Sequence, residues 1–209
     1  MMYNPVSHEF FFGTMNIIAK MAYQEKASNT EEIVYNFSDI MRYAMSDTKI
    51  VTLGEEMDYV ERLLRIQKTQ LGESFTYEIK VPQSARRAIC PCLTFQPIVE
   101  NAIKHAVMAN PESGHIEISA ETRRGDLLVS VQDNGGGITP ESIEAILDPS
   151  GYQVEQKGKV GLSKLNRKLK AYFGRKYGLD IKSMQDGVPG TAIVVHLPLG
   201  DNLDIKKTR

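Results

Sequence analysis

The chain has 209 residues with 25 Lys and Arg against 26 Asp and Glu, so its formal net charge of −1 creates no field that would favour nucleic acid or an acidic membrane surface. A hydrophobic share of 42% is that of an ordinary globular protein, and the length suits one large domain or two modest ones. The longest apolar runs, residues 10–12 and 193–195, are far too short to span a bilayer and no basic leader precedes an apolar signal core, which predicts a soluble, cytoplasmic chain.

In chain order, apolar residues first recur at Phe11, Met15, Ile18 and Ala22, with Phe10, Ile17 and Met21 widening the stripe, which predicts a helix packed against other helices. Ser28 with Glu31, and Asn29 with Glu32, both have the spacing of a capping box and open a second helix bearing Ile33, Phe37, Ile40 and Ala44; the pair predicts a helical hairpin. Thr52 and Glu55 repeat the capping pattern ahead of Met57, Val60 and Leu64, and Gly72 is a natural stop after Leu71. Beyond it Phe75, Tyr77, Ile79 and Val81 alternate with polar residues, the signature of a strand with one buried face. That change of period sets the expected boundary: 1–71 a helical region, 72–200 a second domain, 201–209 a polar tail.

Cys90 and Cys92 flank Pro91 without a second pair to complete a four-ligand zinc site, and read as reduced, partly buried thiols. Further strands are predicted over 115–122, 127–132, 179–183 and 192–197, and helices over 95–107, 141–147 and 162–173, with Thr139-Pro140 a good helix start. Strands and helices in this order predict an α+β fold, in which the hairpin is followed by an α/β sandwich with helices on one face of a sheet.

The chemistry concentrates in Gln96-Pro97-Ile98-Val99-Glu100-Asn101-Ala102-Ile103-Lys104-His105 and, further along, Asp133-Asn134-Gly135-Gly136-Gly137. Together they read as a nucleotide pocket. On a helix, positions three and four apart share a face, so Glu100, Asn101, Lys104 and His105 can present their polar groups to one ligand. Mg²⁺ takes oxygen ligands and keeps several waters, so the Asn101 amide oxygen plus phosphate oxygens is a sufficient site. Asp133 offers a carboxylate to an adenine amino group, and Gly135 and Gly137 let backbone approach the ligand. Each segment alone has a plainer reading: a solvent-exposed Glu100–Lys104 ion pair on an amphipathic helix, and a tight turn at 133–137. Gly158-Lys159-Val160-Gly161-Leu162 opens a helix whose amides could meet phosphate, or is a plain loop before a helix. His115 and His196 read as structural or surface residues.

These motifs stand in order with Phe37-Ser38-Asp39-Ile40-Met41-Arg42-Tyr43, Val51-Thr52-Leu53-Gly54-Glu55-Glu56, Ile66-Gln67-Lys68 and Tyr172-Phe173-Gly174-Arg175-Lys176-Tyr177-Gly178-Leu179. From about residue 9 to residue 199 the chain thereby resembles the cytoplasmic kinase region of sensor histidine kinases of the LytS and YesM-like type, whose ATP-binding half belongs to the GHKL superfamily, or Bergerat fold. The resemblance implies ATP and Mg²⁺ as ligands, with Asn101 on the metal, Glu100 as general base, and Lys104 and His105 toward the phosphates. It implies that Asp133 receives the adenine N6 hydrogen bond, that Thr191, after Gly190, supports it, and that Gly158, Gly161 and Leu162 form the phosphate lid. It further implies a homodimer formed through the hairpin, autophosphorylation on histidine, transfer to a response regulator, and a membrane sensor ahead of this region.

The chain departs from that family at three places. Lys159 and Lys164 stand where the lid usually has glycine and asparagine. The phosphoacceptor motif, N-P-H-F-[LF]-[FY]-N-T-L-N, aligns without gaps on Ser7-His8-Glu9-Phe10-Phe11-Phe12-Gly13-Thr14-Met15-Asn16, which puts Glu9 in the histidine's place. His8 is adjacent, but one step along a helix turns a side chain by about 100°. It is therefore either a displaced acceptor or a polar residue near a chain end, and Glu9 either replaces the acceptor or supplies a standing negative charge. The expected function is the kinase region of a two-component sensor; the alternative is a non-phosphorylating ATP-binding module that dimerises with or modulates a kinase. A clamp or topoisomerase-like role is disfavoured by the helical segment ahead of the pocket.

Overall fold

A computed structural model of the protein describes residues 8–148, 159–184 and 189–200; Ser7, Gly158 and the 201–209 tail lie outside the described residues. The chain opens with an antiparallel pair of helices, α1 (His8–Gln24) and α2 (Ser28–Ala44), in which Phe11 meets Phe37 and the Arg42 guanidinium lies over Phe12. Their connection is tight: Lys26 takes a positive φ of 58° and the Ala27 amide donates to the Ala22 carbonyl at 2.8 Å. The capping boxes expected at Ser28/Glu31 and Asn29/Glu32 do not form. Ala27 is the N-cap, its carbonyl accepts the Glu31 amide at 3.0 Å, and no side chain caps the helix. The tight turn draws Ser28 and Asn29 into the first helical turn, past the position from which a side-chain oxygen caps.

β1 (Ile50–Thr52) leads into α3 (Leu53–Leu71), where the expected capping box is present: the Glu55 amide donates to Thr52 Oγ1 at 3.2 Å and the Thr52 amide to Glu55 Oε2 at 2.7 Å. Thr52→Ala is expected to lower stability by about 1 kcal/mol, read as a shift of the urea midpoint. Gly72 ends α3 with a φ of 64°. There follow β2 (Phe75–Lys80), β3 (Ile89–Pro91), α4 (Gln96–Ala109), β4 (Gly114–Arg123), β5 (Asp126–Asp133), α5 (Pro140–Leu147), α6 (Lys159–Phe173), β6 (Gly178–Met184) and β7 (Gly190–Pro198). Thr139 caps α5, accepting the Ser142 amide at 3.3 Å ahead of Pro140.

The main sheet has the order β2-β4-β5-β7-β6, with β2 parallel to β4 and the other neighbours antiparallel. β1 and β3 pair in a separate antiparallel ribbon that the sequence does not predict, since three residues are too few for alternation to register. Alternation sorts the sheet's faces. Ile116, Ile118, Val129, Val131, Ile193 and Val195 point into the core, while Ser130, Gln132, Lys182 and His196 line a shallow cavity on the other face. α3, α4 and α6 cover the core face, and Leu53, Met57 and Leu64 of α3 share one cluster with Phe75, Phe95, Ile98 and Leu169. α1 pairs with α2, α2 packs in turn on α3 through Ile40 and Tyr43, and α3 is built into the sheet's core. Cys90 is buried and Cys92 half-buried, and both are free thiols. Among the described residues no helix is long and apolar enough to cross a membrane.

Candidate functional site

α4 starts without a side-chain cap of its own, and Pro97 occupies its first turn, where a backbone N–H would have no intrahelical acceptor. The turn leading into it is held instead by Glu56 of α3. This fully buried carboxylate accepts the Leu93 amide at 2.6 Å and the Phe95 amide at 3.1 Å. Between them they fix Leu93 at a φ of 60°, a left-handed conformation that a leucine adopts only when its surroundings impose it.

Ile98, Val99, Ala102 and Ala106 form the buried side of α4. On its other side Asn101 is half-buried, and Glu100, Lys104 and His105 are exposed. The Glu100–Lys104 ion pair that the spacing offers is not the arrangement found among the described residues, because Gln96 Nε2 donates to Glu100 Oε1 at 2.7 Å. Burial first, and then the charges of Glu100 and Glu56, push the Tyr59 hydroxyl up to about 12.

β5 ends on the core face at Asp133, which is 6% exposed and pairs across the ladder with buried Thr191 of β7. Burial pushes the Asp133 carboxyl up; the Gly135 amide, donating to Oδ1 at 2.8 Å, His105 and the Thr191 backbone hold it down. Gly135 marks the contact with α4: a Cβ there would stand 2.7 Å from both Asp133 Oδ1 and the His105 carbonyl oxygen. Gly137 has a φ of 80° and lies against the Ser183 hydroxyl, which accepts the Ile138 amide at 3.4 Å.

Asn134, left without a role by the sequence, ties this turn to the α4–β4 connection. Its Oδ1 accepts the His115 amide at 2.8 Å, its Nδ2 donates to the Ser113 carbonyl at 2.8 Å, and its carbonyl accepts from the Asn110 side chain. The only signal for it was a turn-forming residue beside a motif aspartate. His115 itself hydrogen-bonds its strand neighbour Thr76 at 2.8 Å, in keeping with a structural residue.

At the other end of α4, Gly161 lies in the first turn of α6, and a Cβ there would be 3.5 Å from Pro97 Cβ. Leu162 is buried and Lys164 exposed, while Ser163, 2% exposed, has no hydrogen-bond partner for its hydroxyl among the described residues. Pro97, Asn101 and His105 follow one another at intervals of four and so form a ridge about 12 Å long. One end of the ridge meets the α6 N-terminus and the other meets Asp133 and Gly135, with the Asn101 amide midway. His8 and Glu9, exposed in the first turn of α1, ride on the hairpin rather than on this core.

Two family models match the chain: histidine kinase over residues 1–75, and histidine kinase-, DNA gyrase B- and HSP90-like ATPase over residues 92–201. Among curated proteins, the sensor histidine kinase BtsS of Escherichia coli (strain K12) is 26% identical over 94% of this chain and 32% of its own length. The sensor protein LytS of Staphylococcus haemolyticus and the sensor histidine kinase YesM of Bacillus subtilis are each 27% identical over 92% of this chain and 32% of theirs. The chain thus spans about a third of the length of the curated relatives it matches. The fold is shared with the catalytic domain of the histidine kinase ThkA, at a TM-score of 0.55 and 17% identity, over 72% of this chain and 98% of that one.

Proposed function

Because the chain belongs to the family of histidine kinase-, DNA gyrase B- and HSP90-like ATPases, we propose that it is the ATP-binding kinase region of a two-component sensor histidine kinase. In this reading the γ-phosphoryl group passes from ATP to a histidine and then to an aspartate of a response regulator. The observation that carries it is the α4 ridge, which joins a buried carboxylate at one end to a helix N-terminus at the other.

Each end has the chemistry of one end of ATP. Asp133 keeps one oxygen on the Gly135 amide, and its second suits the adenine amino group. The α6 N-terminus, with Gly161, Leu162 and the orphaned Ser163 hydroxyl, offers donors to phosphate and Lys164 adds positive charge beside it, whereas Lys104 and His105 stand toward the Asp133 end of the ridge. Asn101, between them, would hold magnesium through its amide oxygen, and the bound ion would neutralise charge on the phosphate oxygens.

In the transfer step an imidazole nitrogen forms a P–N bond to the γ-phosphorus as the bond to the ADP oxygen breaks. The imidazole proton passes to Glu100, whose carboxylate Gln96 orients. Catalysis rests on positioning and charge neutralisation, as in other phosphoryl transfers. Phe10, Ile17 and Met21, 67%, 62% and 53% exposed along α1, support a homodimer in which two hairpins form a four-helix bundle. We place the chain on the cytoplasmic side of the membrane, where a response regulator is met.

Incubation with γ-labelled ATP and Mg²⁺ tests the reading, with His8→Ala beside the wild type. Acid-labile label is expected on the wild type and is expected to vanish from the variant. ATP binding without any label would reject self-phosphorylation, and would leave the non-phosphorylating regulatory module that Glu9, at the family's histidine position, favours.

A further inference from the structure

Residues 91–95 deliver the chain into α4, and three separate elements grip this short turn. From α3, Glu56 accepts the Leu93 and Phe95 amides at 2.6 and 3.1 Å. From α6, Lys168 Nζ donates to the Cys92 carbonyl at 2.9 Å. From α2, the Tyr43 hydroxyl donates at 2.5 Å to Glu56 Oε1, the same oxygen that takes the Leu93 amide. Glu56 is 0% exposed and lies behind α4, so its carboxylate cannot touch a nucleotide. A buried carboxylate adds less to stability than a well-packed apolar side chain in the same space, and so its presence calls for another explanation.

The place of Tyr43 in the fold supplies one. It sits in the last turn of α2, its ring 4.9 Å from that of Tyr59, at the end of the hairpin where α1 begins with His8 and Glu9. The hairpin is braced to α3 nearby by Arg62, which donates to Asp39 at 3.1 Å. A shift of α2 against the core is therefore felt at the Tyr43 hydroxyl, and from there by the two amides that lead into α4.

We propose that Tyr43 and Glu56 are positioning residues that couple the helical hairpin to α4, so that the placement of α2 sets the turn from which Glu100 is presented to the transfer step. Its consequence for phosphoryl transfer rests on the kinase reading; the link itself does not. Burial pushes the Glu56 carboxyl up, and the hydrogen bonds from Tyr43, Phe95 and Leu93 hold it down. Withdrawing the hydroxyl favours the protonated acid, a weaker acceptor for the amides that hold Leu93 in its left-handed conformation.

Tyr43→Phe tests this, because it keeps the ring against Tyr59 and removes one donor. Amide exchange at Leu93 and Phe95 is expected to quicken by about tenfold or more, the loss of roughly one charge-assisted hydrogen bond. Mg-ATP affinity is expected to stay within about twofold while the labelling rate falls about tenfold, a split that general loosening of the fold would not produce. Wild-type exchange rates in the variant, or a fall in nucleotide affinity as large as the fall in labelling, would overturn the coupling. If the wild type takes up no label, the kinase reading fails by itself, and exchange at Leu93 and Phe95 still decides the link.

Discussion

Asp133→Asn is expected to weaken Mg-ATP binding by about 1.5–3 kcal/mol, roughly ten- to a hundredfold in Kd by calorimetry, with the fold unchanged. The side chains are isosteric, and the asparagine oxygen can still accept the Gly135 amide that Oδ1 accepts at 2.8 Å. What changes is the second position, where an acceptor becomes an NH₂ that faces the adenine amino group donor to donor. Unchanged affinity would remove the adenine assignment.

The pH dependence adds an independent check. Burial raises the folded-state pKa of Asp133 above its unfolded value, so in the free protein its contribution to stability is present at low pH and is lost as pH rises through the raised value. Nucleotide affinity runs the opposite way, because the carboxylate is a stronger acceptor for the adenine amino group than the protonated acid, and it should fall on acidification sooner than with an ordinary aspartate. Both slopes should flatten in the asparagine variant. A wild type and variant that share one pH profile for affinity would show that another group controls it.

Legibility in the sequence tracked the range of the interaction responsible. The strand from Phe75 and the helix over 95–107 were plain, because burial repeats along each element with its own period. The Thr52 cap was equally plain, since its partner is three residues away. The α2 cap was misread because a three-residue turn, not the local motif, decides where that helix starts. The stripe of Met57, Val60 and Leu64 announced a helix but not its destination; the same pattern would pack on α2 or, as it does, on the sheet. In the site, Asn101 and Asp133 stood out as motif residues. Glu56 did not, because its partners lie 13, 37 and 39 residues away and nothing local distinguishes it from the exposed Glu55 beside it.

In the sequence Gly190 is only the neighbour of Thr191, yet its replacement carries the largest expected penalty. Gly190→Ala is expected to lower stability by about 3 kcal/mol and to reduce nucleotide affinity more than Asp133→Asn does. A Cβ at Gly190 would fall within the envelope of the Asp133 carbonyl oxygen, with the Asp133 carbonyl carbon at 3.1 Å and Asn134 Cα at 3.3 Å. All three are backbone atoms, so no rotamer change relieves the clash, and β7 must retreat from β5 at the Asp133–Thr191 pair. That retreat takes the Thr191 backbone from the Asp133 carboxylate and pulls Ser183, paired with Thr191 on the other side, from the loop at Gly137 and Ile138. Stability and binding should therefore fall together. Gly136→Ala is the control: it lies in the 135–137 glycine run with nothing within 4 Å of the added carbon, and urea unfolding should place it close to wild type. A Gly190→Ala protein as stable as wild type, binding ATP as tightly, would mean that the β5–β7 junction is not the rigid support on which Asp133 depends.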